Sequence, residues 1–331
     1  MTGVVQLVAG RYQVVRPLAA GGLSRVWLAV DETLDRRVAI KRCVPPAGLL
    51  EAEQELLRSW TFQEALASAR VRHPAVVRVL DVLPDPDQPW IIMEYVPSRS
   101  LRQVIADSGP LAPAQVAGIG LTLLAGLTAG WRAGVLHLDV KPGNVLVADD
   151  GRVLLSDPGP VVTEPGLRAL TAAGIILGSA NYIAPERLFD GLSTARADLW
   201  SLGATLYYAA EGRRPYRRTT TAEMLRALAD SPPDPMEHAG PLAGVLTGLL
   251  QRDPAARMTA TEVERRLTRV ADAPARPGVR DRLRGARRVP ARTAPATSAG
   301  PAAPAAPAGP AAPAGPDPRT GPRRWAGTRR R

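Results

Sequence analysis

The spacing of apolar residues changes character about a third of the way along this chain. Over Tyr12–Leu18, Arg25–Val30 and Arg37–Cys43, β-branched residues fall at alternate positions, which predicts three strands. From Glu51 to Arg70 the spacing becomes helical, with Leu56, Leu57, Trp60 and Leu66 set to share a buried side. Two further strands are expected over Val76–Leu83 and Trp90–Tyr95. Beyond them the helical period dominates, over Pro113–Arg132, Arg196–Glu211, Thr221–Ala229, Leu242–Leu250 and Thr261–Val270. A strand-rich first third joined to a helix-rich remainder predicts an α+β fold of two lobes. The most apolar stretch, Val116 to Ala129, is interrupted by Gly and Thr and reads as too short and too broken to span a membrane.

The pattern stops near Val270. Past that point lies an Ala/Pro/Gly/Arg segment, including the run Gly300-Pro-Ala-Ala-Pro-Ala-Ala-Pro, with almost nothing to bury. Such a composition cannot offset the entropy of ordering, so residues 271–331 are expected to be a disordered tail. The tail also accounts for the charge. The chain carries a formal +11, and from Asp272 onward there are 13 Arg against 3 Asp, a net of +10. The folded part is therefore nearly neutral, and non-specific contact with nucleic acid or other anionic surfaces is expected of the tail alone. The single cysteine, Cys43, excludes an internal disulfide. No charged start followed by an apolar run opens the chain, so a signal peptide is not expected and a cytoplasmic location is.

Residue usage sharpens the picture. Of 42 basic residues only Lys41 and Lys141 are lysine. In a chain that uses Arg for generic positive charge, lysine is expected where a compact ammonium is needed and a planar guanidinium does not fit. Lys41 closes Val38-Ala39-Ile40-Lys41, and Lys141 lies within His137-Leu138-Asp139-Val140-Lys141-Pro142-Gly143-Asn144. The only two asparagines, Asn144 and Asn181, fall in this second motif and in Gly178-Ser179-Ala180-Asn181-Tyr182-Ile183-Ala184-Pro185-Glu186. Further motifs are Asp157-Pro158-Gly159, Asp198-Leu199-Trp200-Ser201-Leu202-Gly203, and Arg252-Asp253-Pro254 with Arg257. Together these resemble the eukaryotic-like serine/threonine protein kinases of actinobacteria, over about residues 11–270.

The resemblance implies a small β-rich lobe over 11–96 and a helical lobe over 97–270, with ATP and Mg²⁺ as cofactors and Ser/Thr-bearing proteins as substrates. It implies that Asp139 accepts the substrate hydroxyl proton and that Lys141 stabilises the transferred phosphoryl group. Asn144 and Asp157 would hold magnesium through oxygen ligands. Lys41 would hold the nucleotide phosphates, oriented by Glu64 in preference to Glu51, Glu53 or Glu55. Gly21 and Gly22 would let backbone approach the phosphates. Val26, Ala39 and Met93 would line the adenine pocket, with hydrogen bonds from the backbone of Glu94 and Val96. An ion pair between Glu186 and Arg257 is also implied, and Ser179 points to Ser/Thr rather than Tyr as acceptor.

Four positions depart from the family pattern: Ala19 and Ser24 in the glycine-rich turn, Leu138 in place of an arginine, and Pro158 in place of a phenylalanine. Loss of the arginine removes one partner for a phosphorylated Thr163 or Thr171, so activity is expected to depend little on either. Pro158 restricts the backbone of Asp157 before it. These departures leave a second reading, a pseudokinase or nucleotide-binding scaffold that signals without catalysis.

Overall fold

Alternation in the first third builds one antiparallel sheet. The structure, a computed structural model, describes residues 7–21, 24–45, 50–157 and 180–273. Strands β1 (Leu7–Val8), β2 (Tyr12–Gly21), β3 (Ser24–Asp31), β4 (Arg36–Cys43), β5 (Val79–Leu83) and β6 (Trp90–Glu94) lie in the order β1-β2-β3-β4-β6-β5. The second strand runs to Gly21, which faces Ser24, further than the expected end at Leu18. The fifth is shorter than the expected Val76–Leu83, because Val76 makes only an isolated bridge to Leu155. Side chains alternate between two buried clusters, as the strand period of two requires. Val38, Ile40, Trp90 and Ile92 point to one, while Ala39, Ile91 and Met93 point to the other. Lys41 therefore shares the face of Ala39.

Helix α1 (Glu51–Ser68) forms where the spacing predicts, but with a different side inward. Its buried residues are Leu57, Thr61, Glu64, Ala65 and Ser68, whereas Leu56 and Leu66 are each 42% exposed. Each residue turns the helix by about 100°, so Leu56 lies off the stripe that Leu57 anchors. The stripe follows the one carboxylate that must face inward, not the largest number of leucines.

The remainder holds a small antiparallel sheet of β7 (Ser98–Ser100), β8 (Val145–Ala148) and β9 (Val153–Leu155). Around it are the helices α2 (Leu101–Ser108), α3 (Pro113–Arg132), α4 (Pro185–Phe189), α5 (Ala195–Glu211), α6 (Thr221–Asp230), α7 (Ala243–Leu249) and α8 (Ala260–Ala271). Ser100 starts α2 with a capping box: its Oγ accepts from Gln103 N, and Gln103 Oε1 accepts from Ser100 N. The α3 helix has 20 residues and is long and apolar enough to cross a membrane by length and composition, contrary to the expectation drawn from its Gly and Thr interruptions. Packing accounts for its apolarity. Val116, Ala117, Leu123 and Leu127 are buried, and Gly120 admits Leu206 of α5 and Leu267 of α8, each 2.9 Å from where a Cβ would stand. At the centre lies α5, with 14 of its 17 residues buried. A helix apolar or satisfied on every side belongs inside.

Candidate active site

One face of α5 assembles the site. Asp198, Ser201 and Thr205 stand three and four residues apart and so project to the same side. Asp198 is fully buried; its Oδ2 accepts from His137 N (2.9 Å) and Trp131 Nε1 (2.8 Å), and its Oδ1 from Leu138 N (2.7 Å). Ser201 Oγ donates to Tyr182 O at 2.6 Å, and Thr205 Oγ1 to Val140 O at 3.3 Å. These bonds hold an unfavourable backbone in place. Leu138 has φ +57°, a left-handed conformation that costs an L-residue about 1–2 kcal/mol. The carbonyl of Leu138 accepts from Arg187 Nη1 of α4.

Asp139 projects from this turn. Its Oδ2 receives Lys141 Nζ at 2.6 Å and Asn144 Nδ2 at 2.8 Å. The same Asn144 Nδ2 donates to Asp139 O and to Asp157 O, at 2.9 and 3.3 Å. Across the cleft, Lys41 Nζ stands 2.8 Å from Asp157 Oδ1, a buried oxygen that this ammonium meets without hydrogen-bond alignment. Asp157 too is left-handed, at φ +56°, so the following Pro158 does not keep it extended. Glu64 is buried on α1, while Glu51, Glu53 and Glu55 are exposed. Of the four carboxylates weighed for Lys41, Glu64 alone faces inward, and its charge acts on the ammonium.

The electrostatics follow from burial opposed by pairing. Burial works to lower the Lys41 ammonium, but Asp157, followed by Glu64 and Asp139, holds it above its ordinary value. Burial raises the Asp139 carboxyl against the pull of Lys141 and Asn144. For His137 burial wins outright, taking the imidazole down to about 3, so it is neutral near pH 7. Its Nε2 faces Ser156 O at 3.2 Å, which assigns the proton there and leaves Nδ1 to accept from Asp139 N at 3.4 Å.

The apolar half of the cleft lies on the Lys41 face of the large sheet. Ala39 pairs directly with Met93, and both belong to a cluster with Val96 and Leu154. Leu18, Val26 and Leu146 are among its partly buried members. At the end of β6, Glu94 N donates to Arg78 O and Val96 O accepts from Ser98 Oγ. Gly21 closes the β2–β3 ladder. Gly22 lies outside the described residues, as do Pro158, Gly159, Thr163, Thr171, Gly178, Ser179 and the segment from 274 onward.

The structure thus gathers Lys41, Glu64, Asp139, Lys141, Asn144 and Asp157 within electrostatic reach of one another. The expected ion pair is also present and bidentate: Arg257 Nη1 and Nη2 donate to Glu186 Oε1 and Oε2 at 2.6 and 2.9 Å. Sequence reasoning did not single out Trp131, Thr205 or Arg187. Thr205 carried a usable signal, its helical spacing from Asp198 and Ser201. Arg187 carried none beyond adjacency to Glu186.

A protein kinase domain model matches residues 12–266 of this chain. Among curated proteins, the chain is similar to the serine/threonine-protein kinase PknL of Mycobacterium bovis, 39% identical over 211 residues, or 63% of this chain and 51% of that protein. It is also similar to the serine/threonine-protein kinase PrkC of Bacillus subtilis, 32% identical over 213 residues, or 63% of this chain and 32% of that protein. The chain therefore spans about half the length, or less, of these relatives. Among solved structures, the kinase domain of Mycobacterium tuberculosis PknI matches with a TM-score of 0.61 at 25% identity, covering 82% of this chain and all of that domain.

Proposed function

The chain belongs to the protein kinase domain family, and from that premise we propose that it moves the γ-phosphoryl group of ATP onto serine or threonine hydroxyls of protein substrates. The observation that carries this reading is the Asp139 carboxylate, whose Oδ2 is held by both Lys141 and Asn144. A carboxylate fixed in this way can take a hydroxyl proton, and burial raises its basicity for the task. Lys141, beside it, is placed to neutralise charge on the phosphoryl group in flight. Lys41 would hold the nucleotide phosphates, with Glu64 behind it as the orienting carboxylate.

The residues fit a magnesium–nucleotide complex. Asp157 Oδ1 is a buried oxygen paired with the Lys41 ammonium at 2.8 Å, and the Asn144 amide turns its nitrogen toward the Asp139 and Asp157 carbonyls. Both side chains then offer the oxygen donors that a hard cation prefers. Bound magnesium supplies charge neutralisation at the phosphates. Adenine would lie between Val26 and Ala39, closed by Leu18, Leu146 and Met93. The Glu94 carbonyl and the Val96 N–H, the groups opposite those engaged with Arg78 and Ser98, would address its edge. Gly21 and Gly22 would cover the phosphates. The division between nucleotide and substrate halves falls near residue 96, and the Arg-rich segment from 271 would touch anionic surfaces without sequence preference. The packed apolar α3 and the single reduced Cys43 fit a cytoplasmic setting.

The test is Mg-ATP phosphotransfer by the full chain to itself and to a generic protein, beside Asp139→Asn and Lys41→Met. Wild type should label Ser and Thr, with each variant reduced by about 10²–10⁴-fold. A wild type as inert as its variants would overturn the proposal.

A further inference from the structure

Among the described residues, Arg187 is a buried cation that no carboxylate pairs. It is 5% exposed, and its Nε has no hydrogen-bond partner. Three acids lie near enough to act on it, Asp198, Asp139 and Glu186. Each is already engaged: Glu186 by Arg257, Asp139 by Lys141, and Asp198 by three N–H donors. No ion pair joins Arg187 to any of them among the described residues. Its hydrogen bond is instead to a neutral group, the Leu138 carbonyl, at 2.5 Å.

Such an arrangement is costly. Burying a guanidinium forfeits several kcal/mol of hydration unless pairing restores it, and an apolar side chain of similar volume would pack at lower cost. A position kept for packing alone does not explain an arginine. Its target suggests what does. Leu138 is left-handed, at φ +57°, immediately before Asp139. The peptide entering Leu138 gives its N–H to the anion Asp198, and the peptide leaving it gives its carbonyl to the cation Arg187. The Asp139 N–H then donates to His137 O at 2.8 Å. An anion on one side and a cation on the other hold the turn from opposite directions.

We propose that Arg187 is the positioning residue of Asp139: it fixes the strained turn by holding the Leu138 carbonyl. The leucine at 138 supplies no charge from within the turn, so the cation reaches it from α4. This rests on the reading of Asp139 as the group that accepts the hydroxyl proton.

The experiment compares wild type with Arg187→Met and Arg187→Lys. It reads kcat, KM for ATP and for a peptide, and amide exchange across residues 135–145. For Arg187→Met, kcat should fall about 10–100-fold with both KM values within about twofold. Arg187→Lys, which keeps a donor for the Leu138 carbonyl, should recover part of the lost kcat. Amides of the 137–139 turn should exchange at least about tenfold faster while those of α5 do not change. The proposal is overturned if the Met variant keeps the wild-type kcat and exchange. It is equally overturned if α5 loosens in step with the turn, since that is loss of structure alone. Should Arg187→Met not fold, Arg187→Ala, which removes the donor and leaves room for water, carries the same readings. An inert wild type would refute the phosphotransfer reading, and the exchange data would still decide the clamp.

Discussion

Two buried arginines, Arg257 and Arg187, border α5 and are held in opposite ways. Arg257 forms a bidentate pair with Glu186, donates through Nε to Gln251 O, and lies over the Trp200 ring at 5.2 Å. Arg187 holds one carbonyl and leaves its Nε unmatched. Burial of a charge therefore does not by itself reveal its role. The fully partnered arginine pins the segment around α4 to the approach to α8. The half-partnered one acts on the turn that carries the site.

The pin can be broken directly. Arg257→Met strands the Glu186 carboxylate in the interior and should cost about 3–5 kcal/mol, the largest stability change expected. For a domain of this size the melting temperature should fall by on the order of ten degrees. Differential scanning calorimetry checks this, and a shift of a degree or two would erase the distinction between the two arginines.

Acid attacks the other region. The unfolded chain protonates His137 near its ordinary 6.5, but in the folded protein burial delays this to about 3. Between those values the unfolded state binds the extra proton. The stability associated with neutral His137 is therefore present above about pH 6.5 and drains as pH falls toward 3, up to a few kcal/mol. Denaturant titrations from pH 7 to pH 4 should show a steep loss that His137→Gln flattens. Equal slopes in the two proteins would place the acid sensitivity elsewhere. The smallest effect is expected from a change beneath both regions. A methyl group at Gly203 would lie 2.6 Å from Leu249 Cβ, so Gly203→Ala must part α5 from α7. A loss of about 1–3 kcal/mol is expected, with kcat reduced as well because α5 carries the turn. A variant with lowered melting temperature and unchanged kcat would show that the turn is insulated from its helix.

Much of the fold was legible because long elements repeat their period several times. The span Pro113–Arg132 agrees at both ends, and most other expected helices agree to within a residue or two. Pieces such as β7, β9 and α4 hold too few residues to display a period and were not anticipated. On α1 the apolar count favoured Leu56 and Leu66, while packing chose Thr61, Glu64 and Ser68. Tertiary context decides which side of a helix with so little amphipathic contrast turns inward. In the site, Lys41, Asp139, Lys141, Asn144 and Asp157 were legible because they stand in the motifs, at the spacings, on which the resemblance to the kinase family rests. Arg187 was not. In a chain with 40 arginines another one stands out only when its surroundings are known.

The bonds that α5 sends into the catalytic stretch end on main-chain atoms: His137 N, Leu138 N, Val140 O and Tyr182 O. Main-chain atoms are common to every residue type. The helix therefore acts as a mould that enforces a path without reading the side chains laid along it. Positions 138, 140 and 182 can drift in identity while the path survives, and the burden of invariance shifts to Asp198, Ser201 and Thr205. Leucine at 138 is such a drift, absorbed by a mould that does not register it.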